Sequence, residues 1–136
     1  MIGDDIAAVL PELRREAESL MVDTLVVEHQ TGTTVDPDSL AEVPTFSEVY
    51  SGKGRIQRSG ALSPSDQVAG GFEFGIGTPL AQLPLSATGI RKGDRVTVTA
   101  VGPLTDPDLL GIVATVQANL TKTHPTKRTL VCEEVA

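Results

Sequence analysis

Aromatic side chains are nearly missing from this chain, which has three Phe, one Tyr and no Trp in 136 residues. Its core must therefore be filled with Val, Leu, Ile and Ala, and few rings remain to stack bases or sugars. That disfavours a single-strand nucleic-acid or carbohydrate binder. Cysteine is scarcer still: Cys132 alone excludes an internal disulfide and fits a reducing compartment. No apolar run approaches the roughly 18 residues that span a bilayer, so no membrane partner is expected. Met1 to Asp5 carries no basic residue, and the start of the chain does not read as a signal peptide.

Chemistry-bearing patterns are absent too. His29, His124 and Cys132 are the only soft or borderline metal ligands, and no two have zinc-pair spacing. Gly75-Ile76-Gly77 lacks the third glycine of a dinucleotide fingerprint and runs into Pro79 rather than a helix. Gly52-Lys53-Gly54 fails as a phosphate loop for the same reason. Asp36-x-Asp38 has no glycine at the sixth position of a calcium loop, and no Gly-x-Ser-x-Gly elbow occurs. The expectation is a protein with no catalytic site, no cofactor and no metal.

What is present suits one domain over residues 1–136. The charge is lopsided. Eleven acids face two bases through Tyr50, whereas nine bases face seven acids from Ser51 onward. Such asymmetry favours an assembly in which an acidic face meets another surface. Ile6, Val9, Leu10, Leu13, Ala17, Leu20 and Met21 recur at intervals of three and four, predicting a helix over residues 1–21. Asp4 or Asp5 is expected to cap it, Arg14 and Glu18 to pair along its outer face, and Pro11 to kink it or mark its first turn.

The period then changes to two. Val22 to His29 reads as a strand with either face apolar, and Gln30 to Pro44 as a loop. A second strand is expected from Phe46 to Arg58, bulged near Gly52 and Gly54. Ser59 to Gly71 reads as a long exposed loop. Phe72, Phe74 and Ile76 open a strand that continues past Pro79. Val96 and Val98, then Ile112, Ala114, Val116, Ala118 and Leu120, mark inward faces of two more strands, and Thr129 to Val135 the last. One helix and about six short strands predict a mainly β protein: a small closed or nearly closed β-barrel with an N-terminal α-helix.

The stretch Leu83-Pro84-Leu85-Ser86-Ala87-Thr88-Gly89-Ile90-Arg91-Lys92-Gly93-Asp94-Arg95-Val96-Thr97-Val98 resembles the head–tail connector, or head-closure ("stopper"), proteins of long-tailed phages, in the short form found in phages of actinobacteria. Ala8 to Arg14, Val49 to Gly52, Asp106 to Gly111 and Leu130 to Val135 match in the same order, while Gly60–Gly71 fits no family pattern. The resemblance implies a virion neck protein, in the host cytoplasm before assembly. It implies a homo-oligomeric ring below the portal or adaptor and above the tail terminator or tail tube, through which phage DNA passes without sequence-specific binding. It also makes Ser59, Gly60, Leu62, Val68, Gly70 and Gly71 a candidate channel loop. Lys53, Arg55, Arg58, Ile6, Leu10 and Leu13 are candidate subunit contacts, with acids of the first half expected along the channel. A tail terminator or head–tail adaptor is the nearest alternative. A small β-barrel module for nucleic acid or a ligand is the alternative from another class.

Overall fold

The structure is a computed structural model that describes residues 2–58, 68–69, 72–73 and 78–135. It comprises α1 (Ile2–Ser19), β1 (Asp23–Val35), β2 (Glu42–Arg58), β3 (Val68–Ala69), β4 (Phe72–Glu73), β5 (Pro79–Leu83), β6 (Arg95–Ala100), β7 (Val113–Leu120) and β8 (Arg128–Glu134). Six of the strands form a closed antiparallel barrel in the order β1-β2-β5-β8-β7-β6, with β6 pairing back onto β1. Closure gives every one of these strands two neighbours and removes the exposed edges that short strands tolerate poorly.

Alternation decides what the barrel encloses. Leu25 and Val27 of β1, Ala81 and Leu83 of β5, Val96 and Val98 of β6, Ala114 and Val116 of β7, and Leu130 and Cys132 of β8 form one buried cluster. Each such side chain contributes roughly 1.5–3 kcal/mol when it is Val- or Leu-sized. Both faces of β1 looked apolar in sequence; the barrel takes Asp23, Leu25 and Val27 inward and leaves Thr24 and Val26 half-buried. Asp23 is tolerated at the rim because its Oδ1 accepts hydrogen bonds from Gly102 N at 2.9 Å and Thr105 Oγ1 at 2.6 Å. Gly54, opposite Asp23, leaves no room for a side chain, since a Cβ there would lie 2.5 Å from Leu25 Cδ1.

The registers define two ends. At the entry end lie Asp23, Gly54, Ala100 and Glu134; at the other lie Glu28, Leu83, Arg95, Leu120 and Arg128. The segment 84–92 plugs this second end with buried Ala87 and Ile90. Arg128 Nε donates to Ala87 O at 3.1 Å and Asn119 Nδ2 to Ile90 O at 3.2 Å, tying the plug to β8 and β7.

Several expectations are corrected. Gln30 to Pro44 is not a loop: β1 runs on to Val35 and β2 begins at Glu42, so the two strands leave the barrel as a two-stranded ribbon. Its side chains are mostly exposed, so no hydrophobic period marks it, and Pro44 is accommodated because β2 has no second neighbour there. The breaks in β1–β2 fall at Val49 and Thr31, the residues skipped by the register, and not at Gly52 or Gly54. A further register shift, at Gln117, leaves Leu120 45 % exposed rather than inward.

The helix begins at Ile2 and passes through Pro11, so Asp4 and Asp5 lie within it rather than capping it. Arg14 and Glu18 do not pair with each other. Arg14 Nε donates to Pro125 O at 3.0 Å, and Glu18 meets Lys53 Nζ at 3.0 Å. Of the expected loop from Ser59 to Gly71, only Val68–Ala69 is described, as β3 paired with β4. Ser59, Gly60, Leu62, Gly70 and Gly71 lie outside the described residues, as do Phe74 and Ile76.

Candidate functional site

Three features stand outside the packed barrel. The first is α1. No described side chain of this helix is buried, and Val9 and Leu13 are 49 % and 43 % exposed. Ile6, Val9, Leu10 and Leu13, with Asp5 at the edge, line an apolar groove of about 270 Å³, and among the described residues its lining comes from the helix alone. The 3–4 periodicity is legible in the sequence, but among the described residues the face it builds buries none of its side chains against this chain's own sheet. Only Met21, just past the helix, enters the interior, at 5 % exposure.

The second is the ribbon, whose root is held by a polar clip. His29, the first residue past the barrel, places Nδ1 2.7 Å from Asp94 Oδ1, and Arg91 Nη2 meets the other ring nitrogen. Asp94 is 1 % exposed, and its Oδ2 also accepts the Arg91 amide at 2.8 Å. Gly93, at φ 95°, supplies the turn that brings Arg91 and Asp94 together. Beside them Arg95 Nη2 donates to Glu28 Oε1 at 3.1 Å, and the same guanidinium lies over the Phe46 ring with Cζ 3.6 Å from its centroid. An Asp–His pair invites a triad reading, and Ser47 is directly opposite His29 in the register. The chemistry does not follow. With Nδ1–H donating to Asp94 and Nε2 accepting from Arg91, the imidazole has no free lone pair to act as a base. The clip fixes the ribbon's root. Its members are 65 residues apart, and nothing local in the sequence announced the pairing.

The third is the basic set. Lys53 pairs with Glu18, and Arg58 Nη2 meets Glu134 Oε2 at 3.0 Å. Two of the three cations expected to face a neighbour thus have partners on their own chain, although exposed pairs of this kind hold weakly. Arg55 is half-buried on β2. Lys53, Arg55 and Arg58 share that strand, whereas Ile6, Leu10 and Leu13 share the helix groove.

Cys132 borders an open depression of about 290 Å³ with Glu133, Glu134 and Gln117. Burial pushes its thiol up to about 11, so it behaves as a small buried hydrophobe rather than a nucleophile. Burial, followed by the Glu18 charge, raises the Tyr50 phenol above its ordinary value, and its OH donates to Lys53 O at 2.6 Å. Among the described residues, no three His, Cys, Asp or Glu side chains come together as a metal site, and no helix is long and apolar enough to cross a membrane.

The geometry is that of a six-stranded antiparallel barrel carrying a helix, held to it by polar contacts, and a ribbon. The chain belongs to a family described as a family of unknown function (DUF6093), which it matches over residues 13–133. The fold is similar to the solution structure of protein SF1141 from Shigella flexneri 2a. That similarity has a TM-score of 0.57 at 20 % identity and covers 85 % of this chain and 94 % of the other. No curated protein matches the chain.

Proposed function

We propose that this protein is a structural component of the neck of a long-tailed phage: a head-closure ring subunit that extends or closes the DNA channel and docks the tail. The observation that carries the reading is the apolar row of α1, with Val9 and Leu13 exposed and Ile6 and Leu10 half-buried, on a helix with no buried described side chain. A partly exposed apolar groove with a carboxylate at its edge is a surface an assembling subunit can offer a partner. The ordered sequence resemblance from Ala8 to Val135 supplies the kind of assembly. The closed barrel suits a rigid ring element, and the net charge of −7 suits a conduit that DNA must traverse without sticking.

On this reading the protein performs no chemistry. Its apolar helix face meets a neighbouring subunit or the adaptor above. Arg55, and the more loosely held Lys53 and Arg58, meet the acidic half of the next copy. The candidate channel loop from Ser59 to Gly71 belongs to the same proposal. Deleting residues 60–68 should reduce DNA retention in filled heads, and unchanged retention removes the gate.

The test of the whole reading is compositional. Mass spectrometry of purified particles should find the protein in a fixed ratio to portal. Particles made without it should be tailless heads that lose DNA. Complete, infectious particles lacking the protein would end the proposal, and strong DNA binding by the isolated chain at physiological salt would favour a nucleic-acid module instead.

A further inference from the structure

We infer that the tip of the β1–β2 ribbon docks on the plugged end of the barrel in a second copy of this chain. The contact takes its place in an assembly from the ring reading above, but its chemistry stands on two surfaces of the molecule.

The tip is acidic, apolar and ordered. Residues 30–47 contain Asp36, Asp38 and Glu42 and no Lys or Arg. The turn between the strands is held by Asp36 N to Ala41 O at 2.9 Å, Leu40 N to Asp36 O at 2.7 Å and Asp38 N to Asp36 Oδ1 at 2.9 Å. The Asp38 amide also keeps the Asp36 carboxyl below its usual range. Leu40 sits at φ 60°, an unusual conformation for a bulky residue, with its side chain 76 % exposed. Val35 and Val43 are exposed beside it at 59 % and 44 %. A turn braced by its own hydrogen bonds thus presents a leucine to solvent in a segment that also carries Asp36, Asp38 and Glu42.

The plugged end is the complement. Segments 84–92 and 121–128 hold Arg91, Lys92, Lys122, Lys127 and Arg128 and no acid, in a protein whose net charge is −7. Lys92, Lys122 and Lys127 make no ion pair among the described residues. Leu120, turned outward by the register shift at Gln117, supplies an exposed apolar side chain at the border of this patch.

Placement argues for a neighbour. The ribbon leaves the barrel at the same end that carries the basic patch, and its six residues from Gln30 to Val35 reach about 20 Å beyond it. None of the tip acids pairs with those lysines within one chain. Because donor and receptor occupy one end of the barrel, head-to-tail stacking keeps them apart, and they meet only between copies whose plugged ends face or adjoin each other.

Charge-swapped variants test the contact by sedimentation of the full chain up to about 1 mM, where even a millimolar affinity registers. Asp38→Lys with Glu42→Lys, and separately Lys122→Glu with Lys127→Glu, should each weaken self-association about tenfold or more. Mixing the two variants should restore it, because the swapped tip then meets the swapped patch. Leu40→Gly relieves the positive φ, so this variant should fold at least as stably as the wild type yet associate more weakly. A wild-type chain that stays monomeric, association indifferent to the swaps, or a mixture that fails to recover would overturn the inference. Rings indifferent to the swaps would leave the neck reading intact. Swap-sensitive association by a protein missing from particles would do the reverse.

Discussion

Replacing Gly54 with alanine adds one methyl group where the barrel has no space for it. The ideal Cβ falls 2.5 Å from Leu25 Cδ1, 2.7 Å from Leu25 Cγ and 2.9 Å from Leu83 Cδ2. Carbon atoms pack at about 3.5–4.0 Å, so both leucines must retreat by an ångström or so. Neither has anywhere to go, since both are fully buried in the same cluster as Val27, Ala81 and Leu130. Overpacking of this kind costs about 1–3 kcal/mol, and two obstructing leucines put Gly54→Ala near the middle, at about 2 kcal/mol. For a domain of this size that lowers Tm by about 6–10 °C. The internal control is Gly32→Ala on the ribbon, whose Cβ would meet only Thr45 Oγ1 at 3.7 Å, an ordinary contact. It should change stability by no more than about 0.5 kcal/mol. Urea unfolding followed by far-UV circular dichroism reads both. Equal midpoints for Gly54→Ala and wild type would refute the packing read from the barrel interior.

Other outcomes follow from particular groups. Asp94→Ala strips the acceptor from His29 and from the Arg91 amide and should cost about 1–3 kcal/mol, measured by the same urea titration. Cys132 has a folded value of about 11 against an ordinary 9.0, so between these pH values the unfolded chain releases a proton that the folded chain keeps. Stability should therefore be fully present below about pH 9 and fall by up to roughly 1.4 kcal/mol per pH unit above it. Cys132→Ala should flatten that limb, and a thiol reagent should label the wild type only on unfolding. Leu13→Asp should leave monomer stability within about 0.5 kcal/mol, because α1 buries none of its described side chains. If the neck reading is right, it should also keep the protein out of particles. Arg55→Glu should likewise fold and fail to assemble; intact rings would remove Arg55 from the interface.

Much of the barrel could be read from local periodicity. Val96 and Val98, Ala114 and Val116, and Leu130 and Cys132 face inward as the two-residue alternation requires, because a half-buried strand must separate its apolar and polar faces. The ribbon was invisible to the same rule. Both its faces are wet, so Thr31 to Val35 and Glu42 to Ser47 carry no alternation, and their Gly, Pro and Thr content resembles that of a loop. Leu120 was misplaced because one skipped residue, Gln117, inverts everything after it, and a bulge belongs to the pairing of two strands rather than to either alone.

The amino-acid sequence by itself determined the helix, the six strands of the barrel, the aliphatic core and the absence of recognisable catalytic spacing. All of these rest on neighbours within one turn or one strand. Only the tertiary structure decided that α1 buries none of its described side chains, that His29 and Asp94 clasp the ribbon's root across 65 residues, and that Lys53 and Arg58 are held by Glu18 and Glu134. Those are contacts between distant segments, and closure of the barrel brings them together where no local pattern could.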